Sequence, residues 1–152
     1  MMQNQPLRKL ISMNLIWVSL IFSGCQTGVI ISESNLSVSD HRKAIVAAIG
    51  EARVVSQNGR ELSSYFHDLK FKYLEVTPTT KRRYYTKALI LGARRPYDVA
   101  IEVHIEERDP DTNVFQDVGL DDDLGLVRAK AVREMLNQSR DHTHTIDGTN
   151  PF

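Results

Sequence analysis

The sequence predicts an α+β protein, a two-layer sandwich in which an antiparallel sheet of three to four strands packs against an N-terminal and a C-terminal helix. Residues 97–106 alternate apolar with polar side chains, as a strand with one buried and one wet face does. Residues 38–57 and 121–139 instead repeat apolar side chains three and four apart, which is typical of a helix with one buried stripe. The predicted order is α-β-β-β-(β)-α.

The first predicted helix follows a serine-rich stretch. Ser37 or Ser39 can cap its free amide groups, and Asp40 is favourable near the positive end of the helix dipole. Its apolar stripe comprises Ala44, Ile45, Ala48, Ile49, Ala52 and Val55. Asn58-Gly59 is then a suitable end, because glycine adopts the left-handed conformation that helix ends often need.

The Asn58-Gly59 pair also allows a second interpretation. Asn-Gly is a strong hairpin signal, so residues 53–57 and 60–66 would pair as strands around it. Gly50 weakens the long helix by about 1 kcal/mol, because glycine has a low helix propensity. The sequence leaves both interpretations open.

Strands are predicted through the middle of the chain, and turns with glycine or proline separate them. The strand-like segments are 69–73, 83–91, 97–106 and 114–118. The predicted turns lie at residues 92–96 and 109–111. Upstream of the first helix, the apolar residues 29–31 either dock on the domain or begin a further strand.

Three consecutive acidic residues, Asp121, Asp122 and Asp123, mark the start of the second helix, where negative charge is stabilised by the dipole. Its predicted buried face comprises Leu124, Val127, Ala131, Val132, Met135 and Leu136. Its cations are predicted to face solvent or the carboxyl-terminal half: Arg128, Lys130 and Arg133. The polar residues 140–152 are predicted to form an extended tail.

The amino terminus has the parts of an export signal. Arg8 and Lys9 form a basic start, and residues 10–22 are apolar apart from two serines and one asparagine. This run is too short for a membrane-spanning helix, which needs about 20 residues. A pair of small residues then precedes Cys25, the only cysteine in the chain.

The segment Phe22-Ser23-Gly24-Cys25 resembles the lipobox of bacterial lipoprotein precursors. The resemblance implies cleavage between Gly24 and Cys25 and acylation of Cys25 with diacylglycerol and palmitate-like chains; two or more such chains hold a protein stably on a membrane. The family prefers Leu, Val or Ile where this sequence has Phe22. Gln26 replaces the Asp that retains such proteins at the inner membrane, so the resemblance implies an outer-membrane address with the domain facing the periplasm.

These observations divide the chain into a signal peptide (1–24), a lipidated tether (25–37), an α+β domain (38–139) and a polar tail (140–152). With one cysteine the chain cannot form an internal disulfide, so its stability must come from packing. Basic and acidic residues number 19 each, and this balance gives no support to nucleic-acid binding.

Two arginine pairs are candidate anion-binding residues. Arg82-Arg83 and Arg94-Arg95 flank residues 84–91, and arginine forks bind carboxylate or phosphate groups. We expect the two pairs to lie at neighbouring ends of a hairpin, with Arg94 and Arg95 as the foremost candidates.

The sequence gives little support to metal or catalytic chemistry. The aspartates at 121–123 are interpreted as helix-start charge, and His142 and His144 supply too few ligands for a structural zinc site. There is no Gly-x-Ser-x-Gly elbow and no phosphate-cradling glycine loop, and an acylated Cys25 cannot be a nucleophile. We therefore expect no metal, no cofactor and no enzymatic activity.

The leading functional hypothesis is a membrane-anchored envelope lipoprotein that binds or supports another envelope protein without catalysis. Its contact with membrane lipid would be made by the acylated Cys25. The alternative is a small anion- or metal-binding periplasmic module that uses the arginine loops or the histidine tail. An enzyme is the third hypothesis.

Overall fold

The computed structural model describes residues 28–147. Its elements, in chain order, are β1 (Val29–Ser34), α1 (Val38–Ile49), β2 (Ala52–Val55), β3 (Glu61–Ser64), β4 (Arg82–Leu91), β5 (Tyr97–Arg108), β6 (Phe115–Leu120) and α2 (Asp122–Asp147). The α+β class predicted from the sequence is confirmed, and the sheet has six strands where three or four were expected.

The sheet is antiparallel throughout, in the order β1-β5-β4-β3-β2, and β6 is a further partner of β5. β5 is long enough to hold two short strands on the same edge. β1 pairs with residues 97–101 of β5, and β6 pairs with residues 104–108 of β5. Residues 29–34 therefore belong to the sheet and not to a tether, which confirms the strand alternative for 29–31.

Both helices lie on one face of this sheet and contact each other. Ile45 of α1, Ile101 of β5 and Val132 of α2 are completely buried where the three elements meet. The opposite face of the sheet carries the alternate side chains of β4 and β5, such as Tyr85 and His104, and it is polar. We call this surface the open face.

The first helix ends at Gly50, earlier than the long-helix interpretation has it. Gly50 has a φ of 85°, and its N–H donates to the carbonyl oxygen of Val46 at 2.9 Å. Ala52 and Val55 consequently lie in β2, which pairs with β3 around a turn that contains Gly59 at a φ of 67°. The hairpin interpretation is confirmed, because two glycines take positive φ where a continuous helix needs negative φ.

Residues 69–73 form a turn and not the predicted strand. The side chain of Asp68 accepts hydrogen bonds from the backbone N–H groups of Lys70 and Lys72 at 2.7 and 3.0 Å, which offers this backbone an alternative to sheet pairing. Phe71 adopts a φ of 59°. The only ladder contact within this segment is an isolated bridge between His67 and Tyr73.

The start of α2 lies where the sequence places it, and Asp121 Oδ1 accepts from the N–H of Leu124 at 2.9 Å. The buried face differs from the predicted one: it comprises Gly125, Ala129, Val132 and Leu136, while Val127 is 56% exposed. Gly125 faces β1 on this side of the helix, where an added Cβ would make an ordinary van der Waals contact of 3.6 Å with Val29 Cγ2.

The helix also continues to Asp147, so residues 140–147 are helical and not extended. Neither α1 nor α2 combines the length and apolar character that crossing a bilayer would require.

Candidate functional site

A cavity of about 240 Å³ lies beside the carboxyl end of α1, between α2 and the connection from β3 to β4. We call it the Arg128 cavity. It is lined by Ile49, Gly50, Glu51, Tyr65, Phe66, His67, Phe71, Tyr73 and Arg128. Its walls are largely aromatic, with one cation from α2 and one acid from the turn after α1.

Arg128 is the half-buried cation of this cavity. Its Nη1 donates to the carbonyl oxygen of Ala48 at 2.9 Å, and its guanidinium carbon lies 3.9 Å from the centre of the Phe71 ring. Its Nε is buried without a hydrogen-bond partner. Burial lowers the pKa of Arg128 from its ordinary value, and among residues 28–147 no carboxylate forms an ion pair with it.

Part of the role of Arg128 is structural. The last turn of α1 contains no basic residue of its own, and a cation there stabilises the free carbonyls at the negative end of the dipole. Arg128 supplies this cation from α2. The contact uses Nη1 alone, so the Nε–Nη2 edge of the guanidinium keeps its donor capacity.

The turn after β3 positions the aromatic wall. Asp68 closes the turn with its side chain, and the backbone N–H of Phe71 donates to the Asp68 carbonyl at 3.0 Å. The left-handed φ of Phe71 is uncommon for a bulky residue. It brings the Phe71 ring to Arg128 and within 5.1 Å of the His67 ring.

His67 is an uncharged wall of the cavity. It is only 3% exposed, and burial lowers its pKa, with Arg128 acting in the same direction. Its Nδ1 must donate to the Asp68 carbonyl at 2.9 Å, so its Nε2 accepts from Thr86 Oγ1 at 3.2 Å. Both nitrogens are therefore engaged, and the imidazole presents only its apolar ring to the cavity.

Two tyrosines form the rim. Tyr65 is 44% exposed and Tyr73 is 71% exposed, and their rings meet edge to face at 6.2 Å. On β2, the strand that pairs with β3, Val54 and Val55 are 49% and 42% exposed. β2 pairs only with β3 among the strands between residues 28 and 147, so its outer edge is free.

The open face holds a second cluster of titratable groups. The rings of Tyr85 and His104 stack at 4.7 Å. The His104 nitrogens lie 2.6 Å from Asp117 Oδ2 and 3.1 Å from Glu102 Oε2. Burial, together with Asp117 and Glu106, raises the pKa of Tyr85 to about 12. The two carboxylates, Asp117 and Glu102, contact different nitrogens of the His104 ring. They therefore lie on different sides of that ring and do not converge on a common ligand.

Arg82 and Arg83 are occupied by sheet contacts. Arg83 Nε donates to Glu106 at 2.6 Å, and its guanidinium lies between the rings of Phe66 and Phe115, at 3.6 and 3.9 Å. Arg82 pairs with Glu107. Arg83 is enclosed by these contacts, whereas Arg82 is paired but its side chain remains 56% exposed.

Arg94 and Arg95 are exposed in the loop that joins β4 to β5. The expectation that they lie near Arg82 and Arg83 is wrong. The two pairs are at opposite ends of the ten-residue strand β4, about 30 Å apart at 3.3 Å per residue. The hairpin loop brings residue 98 back beside residue 91 but does not return to residue 82, so no site with four arginines forms.

The remaining predicted site residues divide into two groups. Asp121 is used as a helix cap, and within the described chain no cluster of three or more His, Cys, Asp or Glu residues could hold a metal ion. Gly24 and Cys25 lie outside the described residues, as do the side chains of His142 and His144.

Comparison with known proteins finds no matching family model, no matching curated protein and no matching solved structure.

Arg128 was predicted to face solvent or the carboxyl-terminal half of α2, and its place in this cavity was not foreseen. Its spacing along α2 gave no sign of burial, because its contacts come from Ala48 and Phe71, which are distant in the chain. The cluster of aromatic residues at 65–73 was the available signal, since five aromatic side chains or histidines occur there within nine residues.

Proposed function

We propose that this chain is a cell-envelope lipoprotein, acylated at Cys25 and anchored in the outer membrane, whose domain faces the periplasm and binds another envelope protein without catalysis. The lipobox-like segment ending at Cys25 supports the anchor. The exposed aromatic and aliphatic surface beside the Arg128 cavity supports a binding role.

The start of the folded domain is the observation that carries this proposal. Gly28 is already pressed against β5, where an added Cβ would lie 2.5 Å from Glu102 Cγ and 2.6 Å from the Ile101 carbonyl oxygen. Two residues lie between Cys25 and Gly28, and the three Cα–Cα steps span at most about 11 Å when extended. A lipid on Cys25 would therefore hold the β1 edge of the domain close to the membrane surface.

The non-catalytic assignment is supported by the way in which the domain uses its titratable side chains. His67 has both nitrogens bonded within the protein. His41 is completely buried, and its Nδ1 donates to the Ser37 carbonyl at 2.8 Å. These buried contacts support structural roles for the two histidines.

The proposed partner surface consists of Tyr65, Tyr73, Val54 and Val55, which we call the tyrosine edge. Exposed tyrosines suit protein interfaces, because each combines a large apolar ring with a hydroxyl group. The free edge of β2 can also accept an added strand.

Metabolic labelling tests the anchor. Cells expressing the chain are given radiolabelled palmitate, and the label should appear in the wild type and be absent from the Cys25→Ala variant. Density fractionation should place the wild type in the outer membrane and a Gln26→Asp variant in the inner membrane. Label retained by Cys25→Ala would contradict acylation at this residue.

Site-specific photo-crosslinking in intact envelopes tests the partner surface. A photoreactive amino acid at position 73 should yield one discrete adduct, while the same group at position 94, at the far end of β4, should not. Equal adducts from both positions, or none from position 73, would contradict the tyrosine edge as the interface.

A further inference from the structure

We propose that the Arg128 cavity binds a small monocarboxylate that carries an aromatic ring or a similarly flat apolar group. This ligand site shares Tyr65 and Tyr73 with the tyrosine edge, but its cation is Arg128, which is not part of that edge, and the site does not depend on the lipid anchor. Four features of the cavity lead to the proposal: an unpaired cation, aromatic walls, a nearby acid and a small volume.

The cation comes first. A guanidinium remains charged in proteins, and placing it in a partly buried site without a counter-ion is unfavourable. Arg128 has no carboxylate partner among the described residues, and neither its Nε nor its Nη2 has a protein acceptor there. These two donors form one edge of the guanidinium, which is the edge that a carboxylate can bind with two parallel hydrogen bonds.

The aromatic walls of the cavity determine which group the ligand carries beside its carboxylate. Phe71, Tyr65 and Tyr73 present ring surfaces, and His67 adds an uncharged ring whose nitrogens are already bonded. A flat apolar group can stack against such rings or meet their edges. Because Nε is buried, a carboxylate reaches it only if a side chain of the wall shifts. Tyr73 is a wall residue with a ring that is 71% exposed.

Glu51 and the single cation limit the charge of the ligand. Glu51 lies in the same lining and is exposed, so its carboxylate repels additional negative charge. A monocarboxylate neutralises Arg128, whereas a phosphate dianion leaves an excess negative charge next to Glu51. The cavity therefore favours a carboxylate over a phosphate.

The volume limits the size. About 240 Å³ corresponds to roughly eight water molecules at about 30 Å³ each. That space accepts a ring of benzoate size and is below the usual range of about 300–1,000 Å³ for drug-sized ligands. Benzoate is thus a suitable probe for this class of ligand.

Titration of the full chain in neutral detergent, followed by NMR and calorimetry, tests the proposal with four probes. Benzoate should bind saturably with a Kd of about 1 mM or tighter, as expected for a ligand of its size. Acetate lacks the ring, benzamide lacks the charge and phenyl phosphate is a dianion. Each of these three should bind at least about tenfold more weakly than benzoate.

Two variants locate the site. Arg128→Gln should weaken benzoate binding at least about tenfold, while Arg94→Gln, which removes an exposed arginine at the far end of β4, should leave the Kd unchanged. If Arg128→Gln does not fold, Tyr73→Ala supplies the second test, because Tyr73 is largely exposed and its loss should weaken benzoate binding by about threefold or more.

Absence of saturable benzoate binding up to 10-fold above the expected Kd would overturn the proposal. Equal binding of benzamide, or full binding by a folded Arg128→Gln protein, would also overturn it. A chain that binds benzoate but carries no palmitate would refute the lipoprotein proposal alone, so the two failures are distinguishable.

Discussion

At the scale of single residues, the domain keeps several titratable groups in places where water does not solvate their charged forms. His41 and His67 are fully or almost fully buried, and burial lowers the pKa of both. Tyr85 is affected in the opposite direction, because burial disfavours its anionic form. These shifts link the stability of the fold to pH.

His67 should make the domain less stable in mild acid. Unfolded histidine takes up a proton as the pH falls through about 6.5, while the folded ring stays neutral to lower pH, despite the opposing field of Asp68. Proton uptake therefore favours the unfolded state below that pH. The free energy of unfolding should fall by at most about 1.4 kcal/mol per pH unit from this residue.

Urea unfolding of the wild type and of His67→Gln at pH 7.5 and 5.5 measures this contribution. The free energy of unfolding of the wild type should exceed that of His67→Gln by more at pH 7.5 than at pH 5.5. A difference that is constant or widens in acid would show that the folded ring also takes up the proton.

The Tyr85 phenol should lose its proton at a higher pH than an exposed tyrosine does. Its phenol has a pKa of about 12, with burial as the largest cause and Asp117 as the next. Absorbance at 295 nm after a pH jump, taken as the difference between wild type and Tyr85→Phe, should show this transition. Asp117→Asn should move it toward 10, and an unchanged midpoint would leave burial as the whole cause.

At the scale of elements, local signals set where the helices begin. Ser37 Oγ accepts from the N–H of Asp40 at 3.1 Å and donates to the Asp40 carboxylate at 2.6 Å. Ser39, the other capping candidate in the sequence, is exposed within the first turn. The structure thus chooses one of two serines that the sequence could not separate.

Ser37→Ala should lower the free energy of unfolding by about 1 kcal/mol, because it removes the N-cap of α1. Ser39→Ala should change it by less than about 0.5 kcal/mol. Chemical denaturation of both variants gives the comparison, and equal losses would mean that the cap is not formed by Ser37.

The buried and exposed faces of α2 allow a second pair of matched substitutions. Val132 is completely buried and Val127 is 56% exposed, although the spacing of apolar residues places both on one stripe. Val132→Ala should cost about 2 kcal/mol of stability, and Val127→Ala less than about 0.5 kcal/mol. Thermal unfolding measures both, and a larger loss from Val127→Ala would contradict the observed orientation of α2.

At the scale of the whole molecule, β1 joins the amino-terminal segment to the two-layer fold. Ile31 is 5% exposed and faces the core, and Ile30 is 44% exposed on the other side of the strand. This alternation makes residues 29–34 a part of the domain. Residues 29–34 and the hydrophobic core are therefore one structural unit.

Replacement of the adjacent residues Ile30 and Ile31 tests whether β1 is part of the folded domain. Ile31→Ala should destabilise the whole domain by about 2–5 kcal/mol, because it opens a cavity in the core. Ile30→Ala should cost no more than about 1 kcal/mol. If Ile31→Ala were as mild as Ile30→Ala in chemical denaturation, β1 would contribute little to global stability.

The sequence by itself determined the α+β class, β4, β5 and β6, the start of α2, and the start of α1 to one of two serines. These follow from period-2 alternation, spacing of three and four, and capping residues, all of which act over a few neighbouring residues. It also supplied the whole basis for the proposal that Cys25, which lies outside the described residues, is acylated.

Only the tertiary structure decided which face of α2 is buried, that residues 69–73 turn at Asp68, and that Arg128 lines a cavity. Each depends on partners far apart in the chain or on competing backbone contacts. Arg128 and Ala48 are 80 residues apart, so no local pattern records their contact. Burial of a charge is a property of the surrounding packing, and that packing exists only once α1, α2 and the turn after β3 have come together.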